Sequence, residues 1–234
     1  MSANTQELTR AAVRSPRSAA VAGIIFSLLT IASMVLLRQT VMADPSDLSM
    51  EWLATWSGAA SAVLVLVPFA GIAFLWFTGV IRDLVGDRED KFFATVFFGS
   101  GIILVVMMFV WGAAVGAIQG AFVVADELSI DVDVFVYGFL FMNQIIGNYF
   151  LRIAAVYMLS VGTLWTRAKV VPRWLTIVTY AVGLGFLFFA GIIRGARYLF
   201  PVWVLVVSVY ILILNYRLTH ELENGDASPE GASS

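Results

Sequence analysis

The sequence contains no cysteine, a single histidine and only two lysines, Lys91 and Lys169. Without cysteine the chain can form no disulfide, catalytic thiolate, iron–sulfur ligand or palmitoyl thioester. The histidine, His220, lies near the C-terminus, so histidine ligation of a haem or zinc ion inside an apolar segment is excluded. Neither lysine lies within an apolar run, which excludes a Schiff base of the retinal kind. We therefore predict no cofactor and no metal site.

Charge is also scarce. Charged residues make up 13% of the chain and hydrophobic residues 60%, with a mean hydropathy of +0.90, whereas soluble domains carry roughly 25% charged residues. Such a chain has too few polar groups to cover a water-soluble surface, so the lipid bilayer is its predicted partner. The net charge of −2 and the lack of a basic tract predict no nucleic-acid partner. No paired carboxylates, nucleophile–base set or phosphate-binding glycine loop is present, which predicts no catalytic residues and no enzyme activity.

The apolar residues fall into runs close to the ~20 residues with which an α-helix crosses a bilayer. The runs are continuous and show no alternation, which favours helices over a β-barrel. We predict an all-α, polytopic transmembrane bundle with six helices at about 19–37, 58–81, 93–124, 134–165, 174–193 and 199–216. Residues 1–18 are predicted to form a cytoplasmic tail and residues 217–234 a disordered cytoplasmic tail.

The distribution of basic residues predicts the orientation. Ten of the 14 basic residues fall on one side of this arrangement: Arg10, Arg14, Arg17, Arg82, Arg88, Lys91, Arg167, Lys169, Arg173 and Arg217. The other side holds Arg38, Arg194 and Arg197. The positive-inside rule then places both termini in the cytoplasm, as expected for a multi-pass protein of a plasma membrane.

A cleaved signal peptide is the alternative interpretation of the first run, because Val41, Met42 and Ala43 resemble a small-residue cleavage site. The run is longer than the 7–15 residues of a usual signal-peptide core, and Arg38 separates it from the site. Cleavage would leave five helices and place the new N-terminus outside.

The third and fourth runs are unusually long. Each would form a helix of roughly 46 Å, compared with a hydrocarbon core of ~30 Å. The pair must either tilt strongly or project beyond the bilayer. Gly112, Gly116 and Gly120 recur every fourth residue in the third run, a spacing that lets another helix approach closely. The fourth helix is the predicted packing partner, and a second copy of the protein is the alternative.

A polar stripe in the fourth run is the most informative feature. Gln144, Asn148 and Arg152 recur every four residues and share one helix face, with Asn143 beside them. Arg152 is the only formal charge well inside an apolar run, where an arginine costs roughly 2.5–3.5 kcal/mol. Two interpretations stay open. Either the stripe is structural, with Arg152 reaching the inner interface and the amides joining helices, or it lines a polar cavity. No acidic residue lies deep in another span, which favours an anion or a lipid head group as the ligand.

One segment carries a resemblance. The segment 74–109 resembles uncharacterised bacterial multi-helix integral membrane proteins, with the motifs Phe74-Leu75-Trp76-Phe77-Thr78-Gly79-Val80-Ile81-Arg82-Asp83 and Phe92-Phe93-Ala94-Thr95-Val96-Phe97-Phe98-Gly99-Ser100-Gly101. The resemblance implies a bacterial plasma (inner) membrane. It also implies that the junction of helices two and three is an interaction surface.

These patterns together predict a bacterial inner-membrane protein without enzyme activity. Its predicted role is that of an accessory or assembly protein that acts through helix packing, as a homo-oligomer or with a membrane partner protein. The alternative is a small transporter or channel, with a polar cavity at Gln144, Asn148 and Arg152 that binds an anion or lipid head group.

Overall fold

The computed structural model describes residues 3–39, 50–85, 91–125, 132–169, 171–193 and 195–226. All regular structure in these residues is helical. The elements are α1 (Ala3–Gln39), α2 (Met50–Val85), α3 (Lys91–Ala125), α4 (Val132–Gln144), a π-helix (Ile145–Tyr149), α5 (Phe150–Ala168), α6 (Arg173–Phe189), a 3-10 turn (Ala196–Tyr198) and α7 (Leu199–Asp226). The π-helix joins α4 and α5 without a break, so these elements form one long helix.

Five stretches are long and apolar enough to cross a membrane: Arg17–Arg38, Thr55–Arg82, Phe92–Ala121, Val136–Ala168 and Ala196–Arg217. A shorter apolar helix, Arg173–Phe189, lies between the last two. The prediction of an all-α, multi-pass membrane protein is confirmed at this level. Large apolar side chains cover the outer surface, for example Ile177 at 66% exposure and Phe188 at 67%, as expected for a surface that faces lipid.

Side-chain contacts give the directions of the helices. In α1, Gly23 lies against Ser208 of α7, while the Tyr198 hydroxyl donates to the backbone oxygen of Met34 at 3.3 Å. Residue numbers rise along α1 as they fall along α7, so these two helices are antiparallel. The N-terminal end of α1 and the C-terminal end of α7 therefore lie at the same end of the bundle.

The remaining helices alternate in direction. Gly116 of α3 lies against Leu64 of α2 and Gly101 against Thr78, so α3 is antiparallel to α2. Tyr157 of α5 also contacts Gly101, while Gly138 of α4 contacts Ile118, so the long helix runs antiparallel to α3. Gly183 packs on Leu159 and Gly162 on Tyr180, so α6 is antiparallel to α5.

Two cation–π contacts mark the basic end of the bundle. The guanidinium of Arg82 lies 5.3 Å from the ring centroid of Phe98, and that of Arg167 lies 5.2 Å from the centroid of Phe93. The end of α2, the start of α3 and the end of α5 therefore meet. We call this the basic end. The connection between α6 and α7 lies at the opposite end.

Several boundaries differ from the predicted ones. The segment 1–18, predicted to be a tail, is helical from Ala3, and the segment predicted to be disordered after residue 217 stays helical to Asp226. Alanine, arginine, leucine and glutamate make up half of residues 3–18 and half of residues 217–226. They favour helix by intrinsic propensity, which hydropathy alone does not register. The candidate cleavage site at residues 41–43 lies outside the described residues.

The centre of the bundle is an aromatic core, formed by side chains that are all 0% exposed: Phe26, Phe74, Phe97, Phe150, Tyr157 and Phe200. They come from α1, α2, α3, α5 and α7, and neighbouring ring centroids lie 4.7–6.1 Å apart. Such tilted and edge-on pairs are favourable beyond the area they bury. Within the described helices, side chains from five elements thus meet at the bundle axis.

Two pairs of polar side chains next to this core are hydrogen-bonded to each other. The Thr78 and Tyr157 hydroxyls lie 3.1 Å apart, and the Trp203 indole donates to Thr179 Oγ1 at 2.9 Å. Both pairs join different helices, and such bonds contribute on average ~0.6 kcal/mol each in a membrane. They add interhelical specificity to a core that is held mainly by ring packing.

Candidate functional site

The predicted polar stripe coincides with the π-helix. Residues Ile145–Tyr149 form this wider turn, and the backbone N–H of Phe150 donates to the oxygen of Ile145. π-Turns within α-helices are rare and occur often at functional sites. Gln144 precedes the π-turn, Asn148 lies within it and Arg152 follows it. The stripe therefore occupies a helical irregularity that hydrophobic periodicity does not reveal.

Arg152 and Asn148 contact each other directly. The guanidinium Nη1 of Arg152 donates to Oδ1 of Asn148, one turn earlier on the same helix. Asn148 also lies beside Gly191 in the α6–α7 connection, where a Cβ would come within 3.6 Å of Asn148 Oδ1. Gly191 has φ +81°, a conformation that glycine adopts without strain. An added Cβ would make only an ordinary contact with Asn148, so glycine at residue 191 is favoured by its backbone conformation.

A second arginine joins this region, and the stripe did not predict it. Arg197, in the 3-10 turn, donates from Nη1 to Oδ1 of Asn143 at 3.2 Å, and Asn143 Nδ2 donates to the backbone oxygen of Phe139 at 2.9 Å. The Arg197–Asn143 pair thus joins the α6–α7 connection to the long helix, whereas the Arg152–Asn148 pair lies within the long helix. The sequence indicates a role for Arg197 only weakly. Arg197 is one of three basic residues predicted at the end of the bundle opposite the basic end.

These contacts place Arg152 away from the basic end of the bundle. Arg152 is sixteen residues before Ala168, or about 24 Å along a helix, and its partner Asn148 lies at the level of the α6–α7 connection. Arg152 and Gln144 are both exposed, and Asn148 is half-buried. The interpretation in which Arg152 reaches the inner interface stays a prediction, and its distance from the basic end does not favour it.

The long helix after Asp133, α6 and the α6–α7 connection contain no acidic residue. No aspartate or glutamate occurs in the sequence between Asp133 and Glu221, while Arg152 and Arg197 both lie within that stretch. Each guanidinium has five N–H donors, and one bond to an amide leaves others available. This arrangement fits the binding of an anionic group. The fork of N–H groups on a guanidinium matches the oxygens of a carboxylate or a phosphate. On α3, the Gln119 side chain donates to Ser57 and Ser61 of α2, at 3.2 and 2.6 Å.

The glycine strip of α3 packs inside the chain, but not on the fourth helix. Gly112 lies against Val67 and Gly116 against Leu64, both on α2, while Gly120 has no neighbour within 4 Å of an added Cβ. The predicted packing partner is therefore wrong for Gly112 and Gly116. Glycine spacing shows that a close approach is possible, and only the packed bundle shows which helix makes it.

No protein-family model matches the chain, and no curated protein or solved structure is significantly similar to it. The resemblance of residues 74–109 to bacterial membrane proteins stays a prediction. The assignment of a function therefore depends on the packing of the bundle and on the chemistry of its polar residues.

Proposed function

We propose that the chain crosses the bilayer six times, in a bacterial plasma membrane, with both termini in the cytoplasm. The sixth crossing depends on α6, whose 17 residues span about 25 Å, near the lower limit for a membrane helix. Large apolar side chains are exposed along its whole length, including Trp174, Ile177 and Phe188. An apolar outer face from end to end supports a position in lipid, and the basic end supports the cytoplasmic orientation.

We further propose that the protein is a non-enzymatic accessory or assembly factor that acts through its helix surfaces. The observation that carries this proposal is the aromatic core. Six fully buried rings from five helices occupy the axis along which a solute would have to pass. Close-packed rings provide no polar path for an ion, because each dehydrated charge would need a partner. Gly120 leaves a position open for a second helix, from another copy or another membrane protein.

The alternative function is a small transporter or channel with a polar site at Gln144, Asn148 and Arg152. The two guanidinium groups at the α6–α7 connection favour anion binding, and no carboxylate lies in the sequence between Asp133 and Glu221 to oppose it. The exposure of Gln144 and Arg152 on the outside of the bundle supports surface binding more than passage. Binding without passage is compatible with the accessory role.

Reconstitution separates the two functions. We expect vesicles containing the wild-type protein to release chloride and to take up labelled phosphate no faster than protein-free vesicles, because the aromatic core leaves no route. Arg152→Ala and Arg152→Lys vesicles serve as matched samples. Anion flux well above the protein-free rate, lost in Arg152→Ala and partly retained in Arg152→Lys, would establish the transport alternative and rule out the accessory role as proposed.

A further inference from the structure

A groove opens at the basic end, on the surface between α1, α2 and α3. Its volume is about 410 Å³, and its lining comprises Ser18, Leu75, Trp76, Gly79, Val80, Arg82 and Phe98. Sites for small organic ligands typically measure ~300–1,000 Å³, so the groove has room for part of a lipid. It is remote from the Arg152 region, since Arg82 and Arg152 lie toward opposite ends of the bundle.

Arg82 is held against an aromatic ring. Its guanidinium lies 5.3 Å from the ring centroid of Phe98, in a cation–π contact. A guanidinium has five N–H donors in a planar fork, which can bind a phosphate through two of them. No aspartate or glutamate occurs between Trp52 and Arg82, or between Phe92 and Ala125, and the acidic residue of α2 next to Arg82 in the sequence is Asp83.

The rest of the groove is apolar and extends away from Arg82. Leu75, Trp76 and Val80 line it, and Gly79 has no atom within 4 Å of an added Cβ. A hydrocarbon chain can therefore lie over residue 79. Trp76 is 69% exposed beside this path, a position in which tryptophan contacts lipid. A cationic group at one end and an apolar floor behind it match a phosphate with an attached acyl chain.

We propose that this groove binds one anionic phospholipid, with its phosphate on Arg82 and an acyl chain across Gly79. The occupant is a membrane lipid and not a free anion, because the apolar floor lies within the candidate span Thr55–Arg82 and can hold an acyl chain, which a free anion lacks. An anionic lipid is preferred over a zwitterionic one, since Arg17 and Arg167 add positive charge at the same end.

Lipid titration of the full-length protein tests this assignment. Native mass spectrometry in detergent would compare binding of phosphatidylglycerol, phosphatidylcholine and inorganic phosphate. We expect phosphatidylglycerol to bind most tightly, and Arg82→Gln to weaken it by roughly five-fold, the effect of about one basic residue at a membrane surface. Gly79→Leu should weaken both phospholipids, because its side chain would occupy the path of the acyl chain.

Matched controls make the outcome decisive. Arg173→Gln removes an exposed cation that does not line the groove, and Gly185→Leu adds the same side chain at another open glycine, on α6. Both controls should bind phosphatidylglycerol as the wild type does. The proposal is overturned if Arg173→Gln weakens binding as much as Arg82→Gln. It is also overturned if the two phospholipids bind wild type equally, or if inorganic phosphate displaces phosphatidylglycerol at equal concentration. Asp83→Asn should leave binding unchanged or strengthen it.

Discussion

Replacement of Phe200 by alanine is expected to lower the free energy of unfolding by about 2–4 kcal/mol. Phe200 is fully buried, and its ring centroid lies 5.5 Å from that of Phe150 and 5.8 Å from that of Phe74. Lipid is as apolar as the phenylalanine side chain, so transfer of the ring between lipid and the protein interior contributes little free energy. The loss of stability arises instead from the cavity and from the lost ring contacts. Three helices lose ring packing at once. The melting temperature of purified protein in detergent would measure the effect.

Phe188→Ala is the matched control, because it removes the same ring from a position that is 67% exposed on α6. A lipid-facing ring makes few protein contacts, so we expect a change within about 0.5 kcal/mol. Equal loss of stability in the two variants would contradict the aromatic core as the centre of the fold.

Replacement of Gly23 by alanine is expected to have the next largest effect, a destabilisation of about 1–3 kcal/mol from overpacking. An added Cβ would overlap with Ser208 Oγ and would lie 2.7 Å from Cδ2 of Phe77, a ring that is only 1% exposed. The serine hydroxyl can rotate, but the buried ring cannot move without displacing its neighbours. The contact of α1 with both α2 and α7 must therefore open.

Gly99→Ala is the control for Gly23→Ala, since nothing lies within 4 Å of a Cβ at residue 99. There the gain in helix propensity, up to about 1 kcal/mol, is not opposed. A double variant of Gly23→Ala with Ser208→Ala should recover part of the lost stability, because the hydroxyl is removed while Phe77 stays in place. If the two glycine variants melt alike, α1 does not pack at residue 23 as described.

The sequence predicted the helical spans well, because a long apolar run has few alternative structures in a membrane. The predicted second helix, 58–81, lies within the span Thr55–Arg82, and the predicted sixth, 199–216, lies within Ala196–Arg217. The ends were harder to predict. Helix α1 begins at Ala3 and α7 continues to Asp226, since polar residues with good helix propensity extend a helix beyond the apolar segment.

The candidate site was predicted only in part. Asn148 and Arg152 are four residues apart, which places them on one face of a helix, and their side chains are in contact. The bond between Arg197 and Asn143 joins residues 54 positions apart, and such a contact depends on how the helices pack. The π-turn at Ile145–Tyr149 could not be inferred, because the run around it is apolar on almost every face. The change of phase that an inserted residue causes therefore leaves no visible break in the apolar pattern.

In the proposed arrangement the helices alternate in direction and α6 returns across the bilayer. Labelling of single cysteines tests this arrangement most directly. The chain has no cysteine of its own, so Lys169→Cys, Ile192→Cys and Asp226→Cys each provide a unique thiol. These positions follow α5, lie in the α6–α7 connection and end α7, respectively. Each would be treated with a membrane-impermeant maleimide on intact cells and again after permeabilisation.

We expect Ile192→Cys to react with the maleimide in intact cells, and Lys169→Cys and Asp226→Cys to react only after permeabilisation. If residues 169 and 192 are instead protected together and residue 226 reacts from outside, α6 does not cross the bilayer and the six-crossing account is contradicted.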